Sequence, residues 1–160
     1  MFVTYRQNDP VGAGGVLRIV SGVDGTELVT VTDPLLTLSS FGQIAVGDID
    51  RDGLPEILAK DDGAGLLMTF EHDGTHKWTS IEDTDESFQQ WGGPSIVNLD
   101  SDPEPEIVFG RAVFDNTGAL MWRGTGGRAT IKGPLSLVAD IDQTFPPEVI
   151  AGNTIYNAEE

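Results

Sequence analysis

The sequence predicts an all-β chain of short antiparallel strands joined by tight turns, and three observations carry that expectation. Apolar runs are brief and bounded by glycine, proline or acidic residues; Asp-Gly or Asn-Thr-Gly separates pairs of such runs; and one acidic nine-residue pattern recurs at intervals of 50 and 42 residues. With 160 residues the chain is long enough for one ordinary core. Its 20 glycines and 9 prolines at 39% hydrophobic content fit many short elements rather than a few long ones.

The acidic pattern is clearest in Asp48-Ile-Asp-Arg-Asp-Gly-Leu-Pro-Glu56. Asp48, Asp50 and Asp52 alternate with Ile49 and Arg51, so a curled backbone aims three carboxylates at one point and turns the intervening side chains away. Hard oxygen donors at that spacing suit Ca2+. Gly53 gives the backbone freedom to reverse, the carbonyl of Leu54 is placed to face the ion, and Glu56 closes the shell. An EF-hand shares the opening but needs a glutamate at position twelve and flanking helices. Here that position is Ala59, and the flanking runs Gln43–Val46 and Glu56–Ala59 read as buried strands, so the loop joins two strands.

The pattern returns as Asn98-Leu-Asp-Ser-Asp-Pro-Glu-Pro-Glu106 and as Asp140-Ile-Asp-Gln-Thr-Phe-Pro-Pro-Glu148. The expected ligands of the second loop are Asn98, Asp100, Asp102, Glu104 and Glu106. Those of the third are Asp140, Asp142, Thr144, Pro146 and Glu148. A second feature repeats out of phase: paired apolar runs around Asp24-Gly25, Asp73-Gly74 and Asn116-Thr-Gly118, each a hairpin signal. Trp78 and Trp122 each follow their turn glycine by four residues. One repeat is therefore strand, acidic loop, strand, link, strand, glycine turn, strand. Four short strands recurring every 40 to 50 residues is the pattern of β-propeller blades.

Phe41-Gly42, the Gly-Pro pairs and the Asp-x-Asp-x-Asp-Gly-x-x-Glu loop together resemble the FG-GAP or VCBS-type repeats of the integrin α-subunit propeller and of bacterial surface and secreted proteins. The resemblance runs from about Phe41 to Tyr156, and the nine-residue loop is its specific part. It implies a propeller stabilised by up to three Ca2+ ions, which sit between the first two strands of each blade and away from any ligand-recognition chemistry. Pro103 departs from the pattern, since its fixed φ cannot supply a left-handed turn, so the second loop has to curl differently. Asn98 removes one charge, and the third loop has Thr144 and Phe145 at positions five and six. Affinity depends on ligand charge and rigidity, so the first loop is expected to be the tightest and the other two weaker.

The repeat sets boundaries at 1–40 for a partial blade, 41–91 and 92–132 for blades carrying loops 48–56 and 98–106, and 133–160 for a partial blade carrying loop 140–148. The first piece holds strands two to four and the last holds strands one to three. They do not complement each other, so the expected arrangement is a window on a longer propeller, or edges paired by neighbouring copies.

With 26 acidic against 9 basic residues the formal charge is −17, which argues against nucleic acid and anionic membranes as partners. No apolar run is long enough to insert in a membrane, and the first residues lack the layout of a signal peptide. Cysteine is absent, so disulfides and thiolate metal sites are excluded. Calcium binding in the roughly 0.1 to 1 mM range is a property of extracellular modules, which places the expected location outside the cell or on its surface.

Other candidates have plainer readings. His72 and His76 bracket a turn without a third ligand, so they read as surface residues rather than a metal pair. Trp78 and Trp122 read as packing between blades, with Trp91 less constrained; an exposed trio would have offered a sugar platform. The acidic link Glu82–Gln90 is the best non-calcium surface for a protein or glycan partner. No Ser-His-Asp grouping and no cysteine nucleophile is present to place, so the chain reads as non-enzymatic. The functional expectation is an extracellular module for adhesion, ligand binding or structural assembly. The alternative is a non-catalytic portion of a secreted carbohydrate-active enzyme such as a polysaccharide lyase.

Overall fold

The computed structural model describes residues 2–5 (backbone only), 14–40, 42–63, 65–84, 92–126 and 135–158. Phe41, Trp91, residues 85–90 of the acidic link and the Lys132-Gly-Pro134 stretch lie outside them. The described residues form fourteen strands and no helix.

Four antiparallel sheets follow one another along the chain. The first contains β1 (Phe2–Tyr5), β2 (Gly15–Val20) and β3 (Glu27–Thr30). The second has β4 (Ala45–Gly47), β5 (Glu56–Lys60), β6 (Leu67–Phe70) and β7 (His76–Thr79). The third has β8 (Ser95–Val97), β9 (Glu106–Phe109), β10 (Ala112–Phe114) and β11 (Leu120–Arg123). The fourth has β12 (Ser136–Ala139), β13 (Glu148–Ala151) and β14 (Thr154–Tyr156). Each strand pairs with its sequence neighbour, so every sheet is a simple meander. Strand edges differ from expectation by a residue or two: Gln43 and Ile44 precede β4, and Lys60 extends β5.

Alternation of apolar and polar residues is weak in the sequence because the inner strands are covered on both faces. All five residues of β5 are buried, and its side chains divide between two cores. Ile57 and Ala59 join Leu17 and Leu38 on the side of the first sheet. Leu58 joins Ile107, Phe109 and Phe114 on the side of the third. A further core places Val108 and Val113 of the third sheet against Val149 of the fourth. Three apolar layers thus alternate with four sheets, and burial of these layers is the main favourable term holding them together.

The first strands of successive sheets lie beside one another, β4 next to β8 and β8 next to β12. Their approach is sealed by the Gln43 N–H, which donates to the Gly92 carbonyl at 2.8 Å. At the opposite edge, Trp78 and Trp122 pack against the cores on the side of the following sheet, as the spacing led us to expect. Trp122 meets the Tyr156 ring with centroids 5.9 Å apart.

The hairpins β2–β3, β6–β7 and β10–β11 each contain a register shift on the outer strand, which leaves Leu28, Lys77 and Met121 out of the ladder. Such bulges re-aim the extra side chain. Gly118 has φ of +83° and lies so close to Trp78 that an added Cβ would sit 2.6 Å from the indole. Gly25, at φ +75°, has open space around it. Gly25→Ala and Gly118→Ala therefore share the backbone cost of about 1 kcal/mol. Only Gly118→Ala adds overpacking, for roughly 1–3 kcal/mol more. Urea unfolding of the two variants measures that difference, and equal losses would show that the Trp78 contact is slack.

Candidate metal centres

The three acidic loops connect the first and second strands of the second, third and fourth sheets, and their backbones are organised by the same two hydrogen bonds. The ninth-position glutamate accepts the second-position N–H. The Ile49 N–H reaches Glu56 Oε2 at 2.8 Å, Leu99 reaches Glu106 Oε2 at 2.5 Å, and Ile141 reaches Glu148 Oε2 at 2.8 Å. The third-position carboxylate accepts the fifth-position N–H, with Asp52, Asp102 and Thr144 donating to Asp50, Asp100 and Asp142 at 3.1, 2.8 and 2.9 Å. Each loop is drawn closed between a strand end and its own side chains.

This closure gathers Asp48, Asp50 and Glu56 in one group, Asp100, Asp102 and Glu106 in a second, and Asp140, Asp142 and Glu148 in a third, with ligand oxygens within 4.8 Å of one another in each. Asp52 is not in the first group; its Oδ1 accepts the Leu54 N–H at 2.7 Å, as Asp102 Oδ1 accepts the Glu104 N–H at 3.0 Å. The Glu104 carboxylate is turned outward, 3.8 Å from Arg51 Nη1 of the preceding loop. Asn98 uses its amide nitrogen to hold the Asp102 carbonyl at 2.6 Å. The Thr144 hydroxyl donates to Asp142 at 2.6 Å, and Pro146 follows a cis peptide bond. Leu54 is an exposed member of its loop.

Backbone curvature separates the loops as Pro103 led us to expect. Position four is left-handed at Arg51 (φ 64°) and Gln143 (φ 65°), and position six is left-handed at Gly53 (φ 90°). Ser101 and Pro103 are not among the left-handed residues, so the second loop closes without that turn. The histidines form no metal group among the described residues; His76 Nε2 instead lies 2.8 Å from Thr79 Oγ1.

The ninth-position glutamates set the electrostatics. Glu56 is 0%, Glu106 3% and Glu148 8% exposed. Burial pushes the Glu56 carboxyl above its ordinary range, more strongly than the Ile49 hydrogen bond lowers it. Burial does the same at Glu106, where the charges of Asp100 and Asp102 add to the effect. Glu56 Oε1 is buried without a hydrogen-bond donor. A buried carboxylate with an unsatisfied oxygen is costly, and a hard cation between the clustered oxygens would offset that cost. The residues therefore fit a divalent metal ion of the Ca2+ or Mg2+ type.

Two contacts were not expected from the sequence. Asn116 Nδ2, on the hairpin of the third sheet, donates to the Ile49 carbonyl of the first loop at 3.2 Å. Lys77 reaches from the β6–β7 hairpin into the first acidic group and places Nζ 2.7 Å from Asp50 Oδ2 and 3.8 Å from Glu56 Oε1. Burial disfavours the Lys77 ammonium, but its hydrogen bonds with Asp50 and Glu71 outweigh that and hold its pKa above the usual value. The same hydrogen bond, ahead of the opposing burial, lowers the pKa of Asp50.

No family model and no curated protein matches this sequence. Solved structures do. The V. cholerae biofilm matrix protein Bap1 superposes with a TM-score of 0.73 at 22% identity, over 98% of this chain and 25% of that one. Rhamnogalacturonan lyase YesW gives 0.62 at 23% identity, over 92% of this chain and 26% of the lyase. The rhamnogalacturonan lyase of Bacillus licheniformis gives 0.55 at 25% identity, over 91% and 25% respectively. The chain thus shares a β-rich fold with all three and spans about a quarter of their length.

The elevated Glu106 pKa has a signed consequence. A raised carboxyl contributes stability that is full below the ordinary value of 4.5 and is lost as pH rises through the raised one, so the chelated protein bears this cost at neutral pH. Glu106→Gln removes the titration while keeping an acceptor for Leu99. In chelator the variant should melt above the parent by roughly 2–4 °C, the equivalent of about 1 kcal/mol for a chain of this size. With calcium the order should reverse. Melting curves at neutral pH with and without the metal measure both signs.

Proposed function

We propose that this chain is a calcium-stabilised segment of a larger β-propeller, in which the four sheets are consecutive blades, and that it serves an extracellular protein in adhesion, ligand binding or structural assembly. The observation that carries the reading is the threefold coincidence of a buried ninth-position glutamate with a clustered acidic loop at one end of successive sheets. In two of the loops the residue between the ligands is also part of the packing. Ile49 is buried in the core shared with the third sheet, and Leu99 in the core shared with the fourth. An ion that fixes the loop thereby fixes the joint between blades, which is a structural role.

The side-by-side first strands support a radial arrangement of blades. The exposure of the fourth sheet supports a longer assembly. Leu137, Ile141 and Ile155 are 60%, 52% and 57% exposed, and their counterparts Ala45, Ile49 and Val113 in earlier sheets pack in the cores. The blade divisions are 1–40, 41–91, 92–132 and 133–160, with Leu54, Glu104 and Pro146 completing the three ligand sets. On this reading the chain is not itself an enzyme, and its carboxylates serve as ligands rather than as an acid and base pair.

The two rhamnogalacturonan lyases favour a second reading, in which the segment is a non-catalytic part of a secreted carbohydrate-active enzyme. Glycan-array and pull-down experiments on the intact parent separate the two. Binding of a protein or matrix polysaccharide without turnover supports the first, and depolymerising activity supports the second.

Calcium at about ten times its dissociation constant adds roughly 1.4 kcal/mol per site, or about 4 kcal/mol for three. Scanning calorimetry should therefore show a marked fall in melting temperature on adding EDTA. Asp100→Ala should remove about one site's share of the calcium effect, read as a smaller difference between the melting temperatures with calcium and with EDTA than in the parent. A melting curve that EDTA leaves in place would overturn the proposal.

A further inference from the structure

We propose that Lys77 is a built-in competitor for the cation of the first loop, so that this loop alternates between a lysine-closed and a metal-closed state and is the most easily emptied of the three. The inference rests on the reading of the acidic loops as metal sites.

The ammonium makes two hydrogen bonds of 2.7 Å, to Asp50 Oδ2 and to Glu71 Oε1, and lies 3.8 Å from Glu56 Oε1. Asp50 and Glu56 are two of the three members of the first acidic group. A hard cation would bind those oxygens at about 2.3–2.6 Å, which would leave it no more than about 5 Å from an ammonium still bonded to the same Asp50 oxygen. Two cations that close repel strongly in a partly buried site, so entry of the ion requires Lys77 to withdraw toward Glu71 or solvent.

The position is built for this and is peculiar to one repeat. Lys77 stands at the hairpin bulge, three residues past the turn glycine, where the first sheet has Leu28 and the third has Met121. Those two side chains are exposed and apolar. Among the described residues, no ion pair touches the clustered carboxylates of the second and third loops. The expected ranking, with the first loop tightest, is thus reversed: each group gathers three carboxylates, and the first already faces an internal cation.

Lys77→Met places the third sheet's residue at the bulge. Calcium titration calorimetry of the full chain should show that one of the three sites tightens about tenfold or more in the variant while the other two keep their affinities. In EDTA the variant should melt below the parent, because the first loop loses its stand-in, and with saturating calcium the two should melt together. A second measurement needs no variant. Labelling of the parent with an amine-reactive reagent, read by mass spectrometry, should rise about threefold or more at Lys77 when calcium is added, since the ammonium is released from Asp50. Unchanged affinities together with unchanged labelling would overturn the competition and leave the metal loops standing. Absence of any calcium binding by the parent would overturn the metal reading and this inference with it.

Discussion

A carboxylate buried beneath each acidic loop is the constraint around which the rest is arranged. Glu56, Glu106 and Glu148 begin the second strand of their sheets, where both faces are covered, and each is tied by one oxygen to the second backbone N–H of its loop. At Glu56 the other oxygen is buried without a donor, which leaves that carboxylate far from satisfied. Geometry follows from that shortage: the loop curls so that two aspartates share the space with the glutamate, which concentrates charge and makes a cation the natural complement. The excess of acid over base in the composition is in part the trace of these sites.

The covered inner strands explain a second property. A lone meander of three or four strands would expose one face, and none of these sheets has a sufficient core of its own. Burial is instead shared between sheets, in layers that draw side chains from both neighbours. Stability is then a sum over interfaces as much as over units, as in repeat proteins generally.

Much of this was legible beforehand because the relevant signals are local. The loop spacing, the Asp-Gly and Asn-Thr-Gly turns and the second-strand runs fixed the order of the strands, and the gathering of Asp48, Asp50 and Glu56 follows from alternation along nine residues. What escaped depends on contacts between units. The Glu104 carboxylate meets Arg51 of another loop, and Asn116 of the third sheet meets the Ile49 carbonyl. Lys77 lies 27 residues from Asp50, and only the meander brings the β6–β7 hairpin to the end of the sheet that carries the loop. Aligning the three hairpins on their turn glycines would have singled it out, since a lysine there replaces leucine and methionine.

The placement of Ile49 and Leu99 gives the array a polarity. Each projects from its loop into the layer shared with the sheet that comes next in the chain, and Asn116 reinforces that link by bonding back to the Ile49 carbonyl. A disturbance at the first loop is therefore felt at the joint between the second and third sheets, and one at the second loop at the joint between the third and fourth. The two loops thus act as latches, each fastened to the joint it shares with the sheet that follows it in the chain.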